Sequence, residues 1–202
     1  MLKPNEPIDS SPAGESRDAP SNGVLKDQSM IRPLSVALKE AAHRPPMQYL
    51  WFGIPNSPCV IMLVSVPKIG KSIWGENFAY KLASKLSKDY LGFPIMNSKK
   101  VALIYLEEAE INRTDRQKKQ IDNLDLDDKE EITKNVYVLS ANFYQYLVNE
   151  VQRNELIQIL KHIEPDVIII DSLSRLYLGV IESSEHAQEL MAFVRRIATT
   201  FG

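Results

Sequence analysis

The chain has 202 residues, of which 44% are hydrophobic, enough for one substantial globular core. Its formal net charge of -2 excludes the strong basic surplus with which a protein binds nucleic acid through charge alone. A single cysteine, Cys59, excludes an internal disulfide framework, and no apolar run reaches the roughly 18 residues that cross a bilayer, so we expect a cytoplasmic protein without a membrane partner.

The predicted elements begin after a polar N-terminal segment. Residues 1–30 are rich in Pro, Ser, Gly, Asp and Asn, and we expect them to form a disordered tail. The rest of the chain, residues 31–202, is predicted to be one domain. It opens with a helical pattern, PLSVALKEAAHR, which Pro45 and Pro46 end. An aromatic-rich, loop-like stretch, MQYLWFGIPNSP, then leads to the first strand.

From Cys59 onward, strands and helices alternate, which is typical of an α/β domain with a mainly parallel sheet. The predicted strands are 59–65, 101–106, 136–140 and 166–170. Most are continuous apolar runs, as expected for strands covered on both faces, and we expect Cys59 to be buried with the first of them. The predicted helices are 72–88, with apolar residues at Trp74, Phe78, Leu82 and Leu86, then 146–163 and 185–199. The charged stretch NRTDRQKKQIDNLDLDDKEEITKN is predicted to be a solvated helix and turn.

The stretch SVPKIGKS has the order strand end, turn, glycine, lysine, serine and helix start. Backbone N–H groups in such a loop surround phosphate oxygens, and the helix N-terminus adds partial positive charge. Gly70 would let the backbone approach the phosphates, Lys71 would reach the β and γ phosphates, and the Ser72 hydroxyl would bind Mg²⁺. The residues predicted to bind the nucleotide are Ser65, Val66, Pro67, Lys68, Ile69, Gly70, Lys71, Ser72 and Ile73. A Pro/Gly turn with a serine helix cap is the alternative.

One position departs from the usual form of this loop, G-x-x-x-x-G-K-[ST]. Ser65 stands where that form has its first glycine. A residue with a Cβ makes the tight turn less easily, so we expect weaker binding at most.

Two further strands end in acids. In PDVIIIDS, Asp171 follows a run of bulky aliphatic residues, which predicts a carboxylate at the carboxyl edge of the sheet, where it would help to hold Mg²⁺ beside Ser72. In VALIYLEEAE, Glu107 is the first acid after the strand and is the preferred base for activating water, with Glu108 as the second choice. The alternative is that these acids only cap the helices that follow.

The motifs VPKIGKS, LIYLEE and VIIIDSLSRL together resemble the RecA-like ATPases of the RepA type, hexameric replicative helicases of plasmids and phages, and the related AAA family ATPase domains. The similarity extends from Gln48 to Gly202. It implies an α/β fold, a RecA-like P-loop NTPase core whose mainly parallel central sheet is flanked by helices. ATP and Mg²⁺ are the implied ligands, with Lys71 and Glu107 as catalytic residues and Ser72 and Asp171 at the metal.

The resemblance carries further expectations. It implies a homo-oligomer, a hexameric ring, that works on single-stranded DNA in replication. Arg113 or Arg116 would match arginines that family members carry after the base, and Arg175 matches a recurrent position without an assigned role. Family members continue past the position of Gly202 with a strand ending in a γ-phosphate sensor. The chain is therefore expected to be the N-terminal part of the core, incomplete at its C-terminus.

Two alternatives to an ATP-hydrolysing motor remain open from the sequence. One is a switch or assembly module that binds nucleotide without competent hydrolysis. The other is a phosphotransferase that acts on a small molecule, which is disfavoured because the motif match continues through Glu107 and Asp171.

Overall fold

A computed structural model of the chain describes residues 33–139, 150–173 and 184–201. The chain divides into two compact units, Met1–Pro46 and Met47–Gly202. The described part of the first unit contains the helix α1 (Leu34–Ala42), which confirms the predicted helix before Pro45. Pro33 precedes the first turn of α1, and no residue of this helix is buried. The predicted tail, residues 1–30, lies outside the described residues.

The second unit has the alternating order that the sequence predicts. Its described elements are β1 (Tyr49–Trp51), β2 (Ile54–Pro55), α2 (Lys71–Ala83), β3 (Asp89–Tyr90), β4 (Phe93–Pro94), β5 (Val101–Tyr105), α3 (Glu110–Asp122), α4 (Leu126–Asn135), β6 (Val136–Leu139), α5 (Glu150–Ile163), β7 (Val167–Asp171) and α6 (Ser184–Phe201).

The central sheet has three parallel strands in the order β6-β5-β7. These strands confirm the predictions for 101–106, 136–140 and 166–170. Each is rich in β-branched residues, and β5 is buried along its whole length because it has a strand on each side and helices on each face.

Successive residues of β5 point to opposite faces of the sheet. Ala102 and Ile104 pack into a core with α5 and α6, through residues that include Leu160 and Phe193. The alternate residues of β5 pack on the other face with α2, where Phe78 and Leu82 are buried. Helices therefore cover both faces of a parallel sheet, and the predicted α/β fold class is confirmed.

The predicted strand 59–65 is wrong. Residues 59–66 have no strand hydrogen bonds, and five large apolar side chains in this stretch are exposed, with Val64 at 81%. Apolar content shows that a segment favours burial, but a strand also needs a partner edge. Here the carbonyls of Ser65 and Val66 accept hydrogen bonds from Lys71 instead. Cys59 is consequently exposed, contrary to expectation.

The helix predicted for residues 72–88 is shorter in the structure, since α2 ends at Ala83. The buried hydroxyl of Ser84 accepts hydrogen bonds from the backbone N–H groups of Leu86 and Ser87, at 3.0 and 2.9 Å, and so turns the chain out of the helix. Leu86, the last residue of the predicted apolar stripe, is 54% exposed as a result. The predicted helices 146–163 and 185–199 correspond to α5 and α6, and residues 146–149 lie outside the described residues.

The sequence did not predict the two short antiparallel pairs, β1 with β2 and β3 with β4. Together with α2 they contribute to an aromatic cluster that is continuous with the core on this face of the sheet. Its rings belong to Trp51, Phe52, Trp74, Phe78, Tyr90 and Phe93. Trp51 holds this cluster together, because its indole N–H donates to the Tyr90 carbonyl at 2.8 Å and its ring contacts most of the others.

Candidate active site

The loop before α2 leaves the start of the helix open. Gly70 is the residue before the first helical position and has a φ of 93°, in the left-handed region that favours glycine. No side chain caps this helix end. The backbone N–H groups of the first turn, which no helical carbonyl can reach, are therefore open to an anionic ligand. Ser72 lies within the helix and does not act as its cap, unlike the alternative drawn from the sequence.

Lys71 folds back on the same loop. Its Nζ donates to the carbonyl oxygens of Ser65, at 3.1 Å, and of Val66, at 2.9 Å. Of the other residues predicted to bind the nucleotide, Ser65, Gly70 and Ser72 are half-buried, and the exposed ones are Val66, Pro67, Lys68, Ile69 and Ile73. The ammonium group thus lies inside the loop that would surround phosphates, where it is held by two neutral acceptors that a phosphate would outcompete.

The two acid-bearing strand ends lie side by side. Tyr105 of β5 pairs with Asp171 of β7, and the Leu106 N–H donates to the Asp171 carbonyl at 2.7 Å. Glu107 is the next residue and is exposed. The structure therefore brings Asp171 and Glu107 to the same edge of the sheet, as expected for parallel strands.

The helix α2 packs across this sheet close to β7. A Cβ placed on Gly75 would lie 3.6 Å from the Ile169 Cγ2. Ser72 precedes Gly75 by three residues, about 4.5 Å along the helix axis. The start of α2 and the strand β7, which ends in Asp171, thus belong to one packed unit.

Glu108 is surrounded differently from Glu107. Its carboxylate oxygens accept hydrogen bonds from Arg116 Nη1 and Nη2, at 2.5 and 2.6 Å. These bonds are the main reason that the pKa of Glu108 is lowered, and the charges of Arg116 and Arg113 lower it further. Both oxygens of Glu108 are engaged, whereas Glu107 is exposed, so Glu107 has the more accessible carboxylate of the two.

The structure also contains a polar cluster that the sequence did not predict. Glu76 of α2 is fully buried, and its carboxylate accepts hydrogen bonds from the Tyr105 hydroxyl and from Arg116. Burial, and then the Glu76 charge, raises the pKa of Tyr105 and of Tyr80. One feature of the sequence could have indicated that Glu76 is buried. It lies on the same helix face as Tyr80 and Ala83, which are residue types that are often buried.

Arg113 is also buried at this edge, although the sequence offered it only as a family match. It is 2% exposed, and its guanidinium carbon lies 4.7 Å from the centre of the Tyr105 ring. Among the described residues its Nε and Nη1 have no hydrogen-bond acceptor. Arg175 lies outside the described residues.

The donor set fits a nucleotide with Mg²⁺. An open helix N-terminus, a glycine with positive φ and a lysine supply contacts for phosphates, and the Ser72 hydroxyl and the Asp171 carboxylate are hard oxygen ligands. Within residues 33–139, 150–173 and 184–201 no group of three acidic, histidine or cysteine side chains forms a metal site. A Mg²⁺ ion would therefore need oxygens from the nucleotide as well, as is usual for this ion.

A parallel α/β sheet with a glycine-lysine-serine helix start beside acidic strand ends defines a P-loop NTPase core. The model of the AAA domain family AAA_25 matches residues 25–202, and the chain belongs to this family, whose members are RecA-like P-loop ATPases. ATP and Mg²⁺ are the ligands that the family implies in general. A search of curated proteins gave no match. In the described part of the chain no helix combines the length and apolarity needed to span a membrane.

Proposed function

We propose that the chain binds ATP and hydrolyses it in a Mg²⁺-dependent reaction. The observation that carries the proposal is the open N-terminus of α2 behind Gly70, packed with the sheet whose carboxyl edge presents Asp171 and Glu107. Phosphate binding needs the open helix N-terminus, and hydrolysis needs the carboxylates at the sheet edge.

Each side chain has a role that follows from its chemistry. The N–H groups that follow Gly70 would bind phosphate oxygens, and Lys71 would leave the Ser65 and Val66 carbonyls to bind the β and γ phosphates. Ser72 and Asp171 would hold Mg²⁺, which neutralises charge that develops on the phosphates. Glu107 would orient the attacking water and take its proton.

The test is to measure nucleotide binding and turnover separately. A fluorescent ATP analogue reports the Kd, and phosphate release reports kcat, each with and without Mg²⁺. Lys71→Ala should lower kcat/KM by about 100-fold or more, because it removes a charge directed at the transferred phosphate. Lys88→Ala is the matched control, since Lys88 is an exposed lysine beyond the end of α2 and outside the loop.

Glu107→Gln separates hydrolysis from binding. It should retain the analogue and lose turnover, because the amide cannot accept the proton of the water. Tight binding with a turnover that Glu107→Gln leaves unchanged would instead support a nucleotide-dependent switch or assembly module. Absence of nucleotide binding by the wild-type chain would refute both.

The finer part of the proposal is a DNA-associated motor, such as a cytoplasmic replicative helicase that acts as a homo-oligomeric, hexameric ring. It is supported by the resemblance of the three motifs to the RepA type, whereas the net charge of -2 adds no support. The expected results are an ATPase rate that rises with single-stranded DNA and a ring-sized species in light scattering with Mg-ATP. A rate that is indifferent to single-stranded DNA would refute the DNA role and leave the ATPase intact.

A further inference from the structure

The helix α2 buries a carboxylate on the face that begins with Ser72. Glu76 follows Ser72 by four residues, so the two side chains lie on the same side of the helix. The Glu76 side chain is 0% exposed. Its Oε1 accepts a hydrogen bond from the Tyr105 hydroxyl at 2.9 Å. Because a carboxylate is costly to desolvate, it is retained at this depth only with an opposite charge close by.

Arg116 supplies that charge and joins α2 to the segment after β5. Its Nε and Nη2 donate to Glu76 at 2.8 and 2.6 Å. Its Nη1 and Nη2 also donate to Glu108 at 2.5 and 2.6 Å. Two hydrogen bonds to each carboxylate fix both distance and orientation, which one bond would not. Since Arg116 itself lies on α3, three parts of the chain meet at one guanidinium group.

The cluster around this bridge is balanced in charge. Glu76 and Glu108 face Arg116, and the second guanidinium, that of Arg113, lies on the Tyr105 ring. Arg113 is close enough to lower the pKa of Glu108. Loss of one of these charges would leave another uncompensated in a buried place, and the group would move to find a partner or water.

We infer that Glu76 is a positioning residue for the hydrolysis proposed above, on which this inference rests. Through Arg116 it fixes Glu108, and with it the adjoining Glu107, relative to Lys71 and Ser72 at the start of the same helix. The bridge thus sets the spacing between the group that would hold the phosphates and the group that would activate water.

The alternative is that the bridge only stabilises the fold. Buried ion pairs are weak sources of stability, since apolar residues of similar volume often serve as well or better. What apolar residues cannot supply is a fixed direction between two elements. A displacement of about 1 Å in a catalytic group can cost roughly 100-fold in rate, and this bridge lies where such a displacement would matter.

The test uses the full chain and the isosteric change Glu76→Gln, which removes the charge and keeps the volume. The expected result is a Kd for the fluorescent ATP analogue within about threefold of wild type and a kcat lower by about tenfold or more. Arg116→Lys is the second variant, because an ammonium group keeps the charge but cannot make two bonds to each carboxylate. It should show the same separation of Kd from kcat. The double variant should lose little more than either single one, since both act through one bridge.

Glu189→Gln is the matched control. It removes an ion pair between α5 and α6, in which Arg153 Nη1 lies 2.6 Å from Glu189 Oε1. It should change thermal stability and leave kcat unchanged.

The outcomes separate the two proposals. If the wild-type chain hydrolyses ATP and Glu76→Gln has the same kcat, the positioning role is refuted and the proposed function stands. The same holds if Glu76→Gln raises the Kd by as large a factor as it lowers kcat. If the wild-type chain binds no ATP, the proposed function fails and this inference fails with it. If Glu76→Gln does not fold, the kcat and Kd of Arg116→Lys decide the question.

Discussion

Glu107 and Glu108 are neighbours in sequence with different surroundings. Glu107 is exposed, whereas Glu108 is bound to Arg116 through both carboxylate oxygens and has a lowered pKa. The preference for Glu107 as base, drawn from its position after the strand, stays a prediction that Glu107→Gln tests. What the sequence did not contain is the reason for their different surroundings, because Glu108 is engaged by a residue of the next helix that is itself held by Glu76 of α2.

The lowered pKa of Glu108 predicts how stability depends on pH. The unfolded chain binds a proton near the ordinary glutamate pKa of 4.5, and the folded chain binds it only at lower pH. The ion pair therefore contributes its full stability above about pH 4.5, and this contribution is lost as the pH falls through the folded pKa. Glu108→Gln should consequently show a shallower fall in unfolding free energy below pH 4.5 than wild type. Urea denaturation between pH 3 and pH 7 measures this, and parallel curves would contradict it.

Among the elements, α2 shows the limits of periodicity most clearly. Its apolar stripe predicts a helix to Lys88, and the stripe does face the core as far as Leu82. Ser84 determines where the helix ends. Its hydroxyl accepts hydrogen bonds from two backbone N–H groups and donates one to the buried Asp128 of α4. Periodicity reports which face would be buried and contains no information about a partner 44 residues away.

Ser84→Ala should therefore destabilise the fold by about 1–3 kcal/mol, because Asp128 and two backbone N–H groups lose their partner in a buried place. Urea denaturation at pH 7 gives the change in unfolding free energy. Ser57→Ala, at an exposed position in the turn after β2, should be nearly neutral. A loss for Ser84→Ala no larger than for Ser57→Ala would show that the hydroxyl does not anchor this turn.

For the molecule as a whole, the parallel sheet determines which residues meet. The strands β5 and β7 lie 62 or more residues apart in sequence, yet their register places Tyr105 beside Asp171 and so brings Glu107 to the same edge. The helix α2, three residues after Ser72, packs against that same sheet through Gly75. The family match over residues 25–202 agrees with this arrangement.

Ligand binding should then stabilise the whole domain. A ligand at 100 times its Kd adds about 2.7 kcal/mol to the unfolding free energy. For a chain of this size each kcal/mol raises Tm by about 2–4 °C. Mg-ATP should thus raise Tm measurably in differential scanning calorimetry, and the rise should be lost in Lys71→Ala and kept in Lys88→Ala. An equal rise in all three proteins would contradict binding at this loop.

The sequence by itself determined the fold class, three strands of the sheet and the segments that form most of the helices. It could do so because aliphatic runs and helical periodicity are local properties of the chain. It also placed the candidate groups at Gly70, Lys71, Glu107 and Asp171, because strand ends and helix starts are where α/β folds present polar groups.

Only the tertiary structure decided what depends on a partner distant in sequence. Residues 59–65 have the composition of a strand, but a strand exists only where an edge pairs with it. Here the carbonyl of Ser65, and that of Val66 next to it, accept hydrogen bonds from the Lys71 side chain. The bridge from Glu76 through Arg116 to Glu108 joins three segments, each of which is an ordinary charged or helical stretch when considered alone. A buried charge needs an opposite charge at hydrogen-bonding distance, and the distances between these groups are set only when the chain has folded.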